Sequence, residues 1–228
     1  MDELHALLDS YSTSMPAPGP EDKGLEVILS HALNPFLNHC EKMASMQSPP
    51  TDSIFAINCL LAAKKRLSEF PFAQDRIGEL DDTIAEHEAR LSEYQHRFLL
   101  RNSGLGTLVP TLSDFAENQR DIRDLSTLQI CSTESLLGIG QELDDFLPSA
   151  IMDASQNIKL LRSPALSRQV TEEGARKFCA DFEMVEDLLI EADEARFGKD
   201  EANGDDGRTL RLKELFPRTG EEIRILLS

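Results

Sequence analysis

The stretch RIGELDDTIAEHEARLSEYQHRFLL, residues 76–100, decides the fold class. Ile77, Leu80, Ile84, His87, Leu91, Tyr94 and Phe98 recur there at alternating steps of three and four residues. Side chains at that spacing stack on one face of an α-helix. They describe a packing seam of three heptads with one polar break, His87, a residue type that can fix register in a helix interface. Glu79, Asp81, Asp82, Glu86, Glu88, Arg90 and Glu93 fill the rest of the surface. The spacing predicts a long helix over 74–102, ended by Asn102-Ser103-Gly104.

The same pattern continues outward in both directions. Upstream, Leu25, Ile28, Leu29, Ala32 and Leu33 keep helical spacing, and Pro35 implies a kink or restart near Asn34. Ser48-Pro49-Pro50 stops that segment. The next helix, capped by Thr51 or Asp52, carries Ile54, Ile57, Leu60, Leu61 and Leu67 and pauses at Phe70-Pro71. Downstream, Pro110 limits any helix after Gly104. Leu136, Leu143, Leu147, Ala150, Ala154, Ile158 and Leu161 line one face, with Pro148 marking either a kink or a new first turn. Ser163-Pro164 ends that run. Thr171 is the expected cap of a helix bearing Phe178, Phe182, Val185, Leu189 and Ala192. A last short helix from Thr219 or Gly220 carries Ile223, Leu226 and Leu227, which are expected to dock back on the bundle.

Expected helices are therefore 21–47, 52–69, 74–102, 133–163 and 171–197. No period-two run of β-branched residues appears, so the fold is all-α, an elongated stacked helical bundle. Five segments follow: a flexible N-terminal segment at 1–20, a bundle containing the long amphipathic helix at 21–125, and a C-terminal bundle at 126–197. An acidic disordered insert occupies 198–208, and a tail with a short helix occupies 209–228.

Charge narrows the function classes. The 228 residues carry 41 acids against 23 lysines and arginines, a net −18. Nucleic-acid binding is excluded, because counterion release needs clustered cations. Docking on an anionic leaflet by charge alone is disfavoured too. Half of that net charge lies between Asp181 and Asp206. No window of 18 uninterrupted apolar residues spans a bilayer, and MDELHALLDS lacks the positive start of a signal peptide. Membrane contact is then indirect.

Chemistry-bearing motifs are sparse. Gly104-Leu105-Gly106 and Gly138-Ile139-Gly140 follow no strand and lack a P-loop lysine, so they read as helix punctuation. Glu86-His87-Glu88 cannot converge on a metal, since consecutive helical residues diverge. Cys40, Cys59, Cys131 and Cys179 show no Cys-x-x-Cys spacing and read as buried reduced thiols. No GxSxG elbow occurs. The residues point to no catalytic group, metal or cofactor. Lys64-Lys65-Arg66 is the strongest basic cluster, either a solvated helix face or a contact for an acidic partner. A helical interaction protein is the class that remains, with a stand-alone adaptor homodimerising through the 77–98 seam as the alternative. An enzyme with an unrecognised pocket ranks last.

NPFLNHCEKMA at 34–44 and SIFAINCLLAAKKRLSEFPFAQDRIGELDDTIAEHEARLSEYQHRFLLRNSGL at 53–105 resemble the C-terminal half of subunit 6 of the conserved oligomeric Golgi complex. LDDFLPSAIMDASQNIKLLRSP, ARKFCADFEMVEDLLIEAD and the final FPRTGEEIRILLS are similar to its closing helices and C-terminus. The likeness covers residues 25–228. It implies a helical-rod tethering subunit without catalytic residues, peripheral on the cytoplasmic face of the Golgi membrane and acting in intra-Golgi retrograde transport. Its implied partners are subunits 5, 7 and 8 of that complex, together with SNAREs and Rab proteins. The family's subunit is longer, with an N-terminal coiled-coil region expected to contribute to lobe assembly, so this chain is expected to be a truncated product, a fragment or the product of a split gene model.

Overall fold

The computed structural model describes residues 2–14, 23–198 and 211–227. Every element among them is helical and no strand occurs, as the hydrophobic spacing requires. The chain divides into two compact units, Met1–Tyr94 with Asn157–Val170 and Gln95–Gln156 with Thr171–Ser228.

The first unit begins with α1 (Asp2–Ser14), which buries Leu4 and Leu8, so this part of the expected flexible segment packs as a helix. α2 (Lys23–Ile28) passes through a π-helical turn, Leu29–Leu33, into α3 (Asn34–Ser45). The wide turn sits where Pro35 was expected to disturb the helix. Proline removes one backbone donor, and the Asn34 N–H reaches back to the Leu29 carbonyl instead. α4 (Thr51–Leu67) and the first part of α5 (Gln74–Asn102) follow. Leu60, Ala63, Leu67, Ile77, Leu80 and Ile84 form one core with Leu4, Leu8, Leu29 and Leu33. Leu91 belongs to a second core with Ile54, Ile57, Ile158, Leu161 and Val170. The Asn58 side chain holds the turn behind that core: its Nδ2 donates to the Leu160 carbonyl at 2.9 Å, and its Oδ1 accepts from the Arg162 N–H at 2.9 Å.

In the second unit Gly104, at φ 77°, turns the chain from α5 into α6 (Leu105–Glu117). A left-handed backbone there suits glycine. Pro110 lies inside α6, against the expectation that it would limit a helix. Interior proline costs about 3 kcal/mol. Burying Leu105, Leu108, Val109, Leu112 and Phe115, at about 1.5–3 kcal/mol each, outweighs it. Ser132 caps α7 (Thr133–Phe146), accepting from the Ser135 N–H at 3.3 Å. A 3₁₀ turn containing Pro148 then leads to α8 (Ala150–Asn157).

α9 (Pro164–Phe197) corrects the expected boundary at Thr171. Pro164 opens the helix, where its missing N–H has no intrahelical partner to lose, and Thr171 lies buried within it. Phe178, Phe182, Val185, Leu189 and Ala192 join Leu136, Leu143 and Leu147 in the core of this unit. The acidic insert expected at 198–208 lies outside the described residues except for Gly198. Beyond it, α10 (Leu212–Leu215) and α11 (Gly220–Leu226) pack back on the same core through Leu212, Leu215, Phe216, Ile223 and Leu227, while Leu226 stays exposed. Thr219 and Glu222 form a reciprocal capping box at the start of α11.

Candidate functional site

A cleft of about 670 Å³ opens in the first unit, with α3 and α5 as its walls and α4 as its floor. Each helix contributes one face. Asn34, Leu37, Asn38, Glu41, Ala44 and Ser45 come from α3, and Asp52, Ala56, Cys59 and Leu60 from α4. The α5 wall is the row Arg76, Glu79, Thr83, Glu86 and Arg90, at steps of three and four, with Leu80 and His87 beside it. This polar row runs next to the apolar stripe of the same helix, and in the sequence it looks like an ordinary solvated face.

Hydrogen bonds fix the walls. Arg76 donates through Nη2 to the Asn34 Oδ1 of α3 at 2.5 Å and through Nη1 to Glu79, closing one end. His87 Nδ1 lies 3.3 Å from the Ser53 hydroxyl on α4. Burial, then the Arg90 guanidinium, pulls the His87 pKa below its ordinary value, although Asp52, Glu86 and Glu41 pull the other way. Burial, followed by the hydrogen bond that the Cys59 thiol donates to Cys40, pushes the Cys59 thiol up to about 12. A reactive cysteine needs the opposite shift, and this thiol stays protonated at neutral pH. Cys131 and Cys179, in the other unit, are also raised by burial. All four cysteines are free thiols.

The remaining sequence candidates are distributed as follows. Ile77, Leu80, Ile84 and Leu91 are buried, His87 is half-buried, and Tyr94 and Phe98 are only partly buried. Ser92, Gln95 and Leu99 are buried instead on the later part of α5, and Gln95 donates to the Ala154 carbonyl at 2.5 Å. Of the basic cluster, Lys64 pairs with Asp81, Arg66 lies 3.9 Å from Glu69, and Lys65 is exposed. None of the three lines the cleft. Among the described residues no group of three His, Cys, Asp or Glu side chains could hold a metal ion. No described helix is long and apolar enough to cross a membrane.

The cleft lining is thus mostly polar, with four carboxylates, two guanidiniums and one imidazole. Comparison with known proteins agrees on one family. A family model described as conserved oligomeric Golgi complex subunit 6, C-terminal, matches residues 1–227. The protein of that name from Sclerotinia sclerotiorum is 44% identical over 226 residues, covering 99% of this chain and 32% of the relative. That from Phaeosphaeria nodorum is 40% identical over 225 residues, with 99% of this chain and 32% of the relative covered. A more divergent one, from Ajellomyces capsulatus, is 36% identical and covers the whole chain and 41% of the relative. The chain spans about a third of the length of the first two of these relatives. No solved structure matches it. The chain belongs to the family of conserved oligomeric Golgi complex subunit 6, in that family's C-terminal region.

Proposed function

We propose that the chain works as the C-terminal part of a non-enzymatic subunit in a multisubunit Golgi vesicle-tethering complex. It acts in intra-Golgi retrograde transport and in maintaining Golgi function. The family match over residues 1–227 carries this reading. The all-helical fold of the described residues supports it, since it suits a subunit built from packed helices. The subunit sits on the cytoplasmic face of the Golgi membrane, held there by its partners. Those partners are subunits 5, 7 and 8 of the complex, with SNAREs and Rab proteins as further contacts. Lys64, Lys65 and Arg66 form one contact for an acidic partner, and Lys65 is the cation of that cluster with no carboxylate pair among the described residues.

Burial argues against the alternative, a stand-alone adaptor that homodimerises through the 77–98 seam. Ile77, Leu80, Ile84 and Leu91 are already covered within one chain and offer no apolar surface to a second copy. The test is affinity purification of the tagged chain from cells, with immunodetection of subunits 5, 7 and 8, beside light scattering of the purified chain. Recovery of those subunits and a monomeric mass are expected. Recovery of none of them, or a stable dimer broken by Leu91→Asp, overturns the proposal.

A further inference from the structure

We infer that the α3–α4–α5 cleft is a docking groove for one amphipathic helix of a partner protein, a helix whose apolar ridge is flanked by lysines or arginines. Three observations carry this. The first is length. The lining residues of α5 run from Arg76 to Arg90 and those of α3 from Asn34 to Ser45, roughly 21 and 17 Å at 1.5 Å per residue. That is three to four helical turns. The volume fits the same object: a helix of that length and about 10 Å diameter occupies roughly 1,300 Å³, so a cleft of about 670 Å³ seats about half its girth.

The second is the shape of the walls. Both are rows at steps of three and four residues, and the α4 floor between them includes the small side chains Ala56 and Cys59. Small floor residues let a helix approach closely, and i, i+3, i+4 rows receive helical ridges. A small-molecule pocket has a different lining, mainly apolar and aromatic with few polar groups. This cleft has no Phe or Tyr in its lining and seven charged or imidazole side chains.

The third is charge. Glu41, Asp52, Glu79 and Glu86 line the cleft together with Arg76 and Arg90, and Arg76 is engaged by Glu79 and Asn34. Glu41, Asp52 and Glu86, together with Arg90, all act on the His87 ring and so lie around one stretch of the groove, where three carboxylates meet one guanidinium. Asp52 Oδ1 is buried and finds no hydrogen-bond partner among the described residues. A cationic flank on the incoming helix matches that stretch, and an acidic flank is repelled by it.

The inference deepens the subunit reading by naming a partner class, and its test is independent of the Golgi assembly. The purified full chain is titrated with fluorescein-labelled synthetic helices of about 18 residues, five turns. Both carry a Leu/Ala ridge, with lysine flanks in one and glutamate flanks in the other. The lysine peptide is expected to bind at least about tenfold more tightly, in keeping with electrostatic selection between partners. Glu41→Lys with Glu86→Lys removes that preference without altering the melting curve. Glu172→Lys with Glu191→Lys, an exposed pair on α9 giving the same change in net charge, retains it. Amide shifts on binding fall on 34–45, 52–60 and 76–90. Equal loss of binding in both double variants, shifts centred elsewhere, or no binding of either peptide overturns the groove. Such a failure leaves recovery of the sister subunits as the separate test of the subunit reading.

Discussion

Asp193 lies in the last turns of α9 with only 4% of its surface exposed. Its two carboxylate oxygens accept the backbone N–H groups of Leu212 and Lys213, each at 2.9 Å. A charged acceptor contributes about 1.5–3 kcal/mol per bond. Asp193→Ala also leaves the Leu212 N–H, at a residue 3% exposed, without a partner. The Lys213 N–H recovers part of its loss by hydration, so the expected cost is about 3–5 kcal/mol. Asp193→Asn keeps one acceptor oxygen and is expected to cost about half as much. The loss is local, because the tail is also held by buried Phe216, 5.5 Å from the Phe182 ring, and by the Lys213–Glu186 ion pair at 2.9 Å. Native-state hydrogen exchange read by NMR is the direct assay. The Leu212 and Lys213 amides should exchange at least about a hundredfold faster in Asp193→Ala, since each 1.4 kcal/mol is a factor of ten. The melting temperature should fall by roughly 10 °C. Exchange within about threefold of the parent would mean that the apolar side chains alone seat the tail, and the capping argument would be wrong.

Further outcomes follow from the same geometry. Leu91→Asp places a carboxylate among Ile54, Ile57, Ile158, Leu161 and Val170 and should destabilise by at least about 4 kcal/mol, whereas Glu88→Lys stays within about 0.5 kcal/mol; equal urea midpoints for the two would refute the packing of α5. Asn58→Ala unpairs the Leu160 carbonyl and the Arg162 N–H and should cost about 1–2 kcal/mol in the same titration. His87 titrates below its ordinary value in the folded chain, so the unfolded chain takes up the proton first. Its contribution is complete above about pH 6.5 and is lost as pH falls below that. Urea midpoints at neutral and mildly acid pH should therefore converge in His87→Gln, and an unchanged pH dependence would remove His87 as the cause.

Helix type and the buried stripes were legible in the residues because apolar spacing survives any arrangement of the helices. The later part of α5 shows where that reading loses accuracy. A strict three-four repeat places Tyr94 and Phe98 on the seam, but a straight α-helix has 3.6 residues per turn and drifts about 20° per heptad from a 3.5 repeat. Three heptads after Ile77 the inward face has moved by about 60°, toward Ser92, Gln95 and Leu99, which are the buried positions. Gln95 is accepted there because a backbone carbonyl, that of Ala154, receives its amide. The prolines misled in a related way. Pro110 and Pro164 are helix breakers by local rule, yet one is outweighed by five buried side chains and the other stands in a first turn. Asp193 gave no signal at all, since an acid on an acidic helix looks solvated until the tail folds over it.

The cleft was illegible for a deeper reason. Its walls are polar rows from segments far apart in the chain, each ordinary by itself, and only their convergence makes a site. What converges also decides which kind of site it is. A raised thiol and a lowered imidazole are both neutral at physiological pH, so neither Cys59 nor His87 adds charge to the cleft. Its electrostatics are then set by four carboxylates and two guanidiniums. Recognition by such groups is screened over about 8 Å at physiological ionic strength. Affinity for a cationic helix should accordingly fall with added salt and stay level between about pH 7 and 8, because neither neutral group changes charge there. A site doing acid–base chemistry would behave the other way, because its working groups must titrate near the pH at which they act.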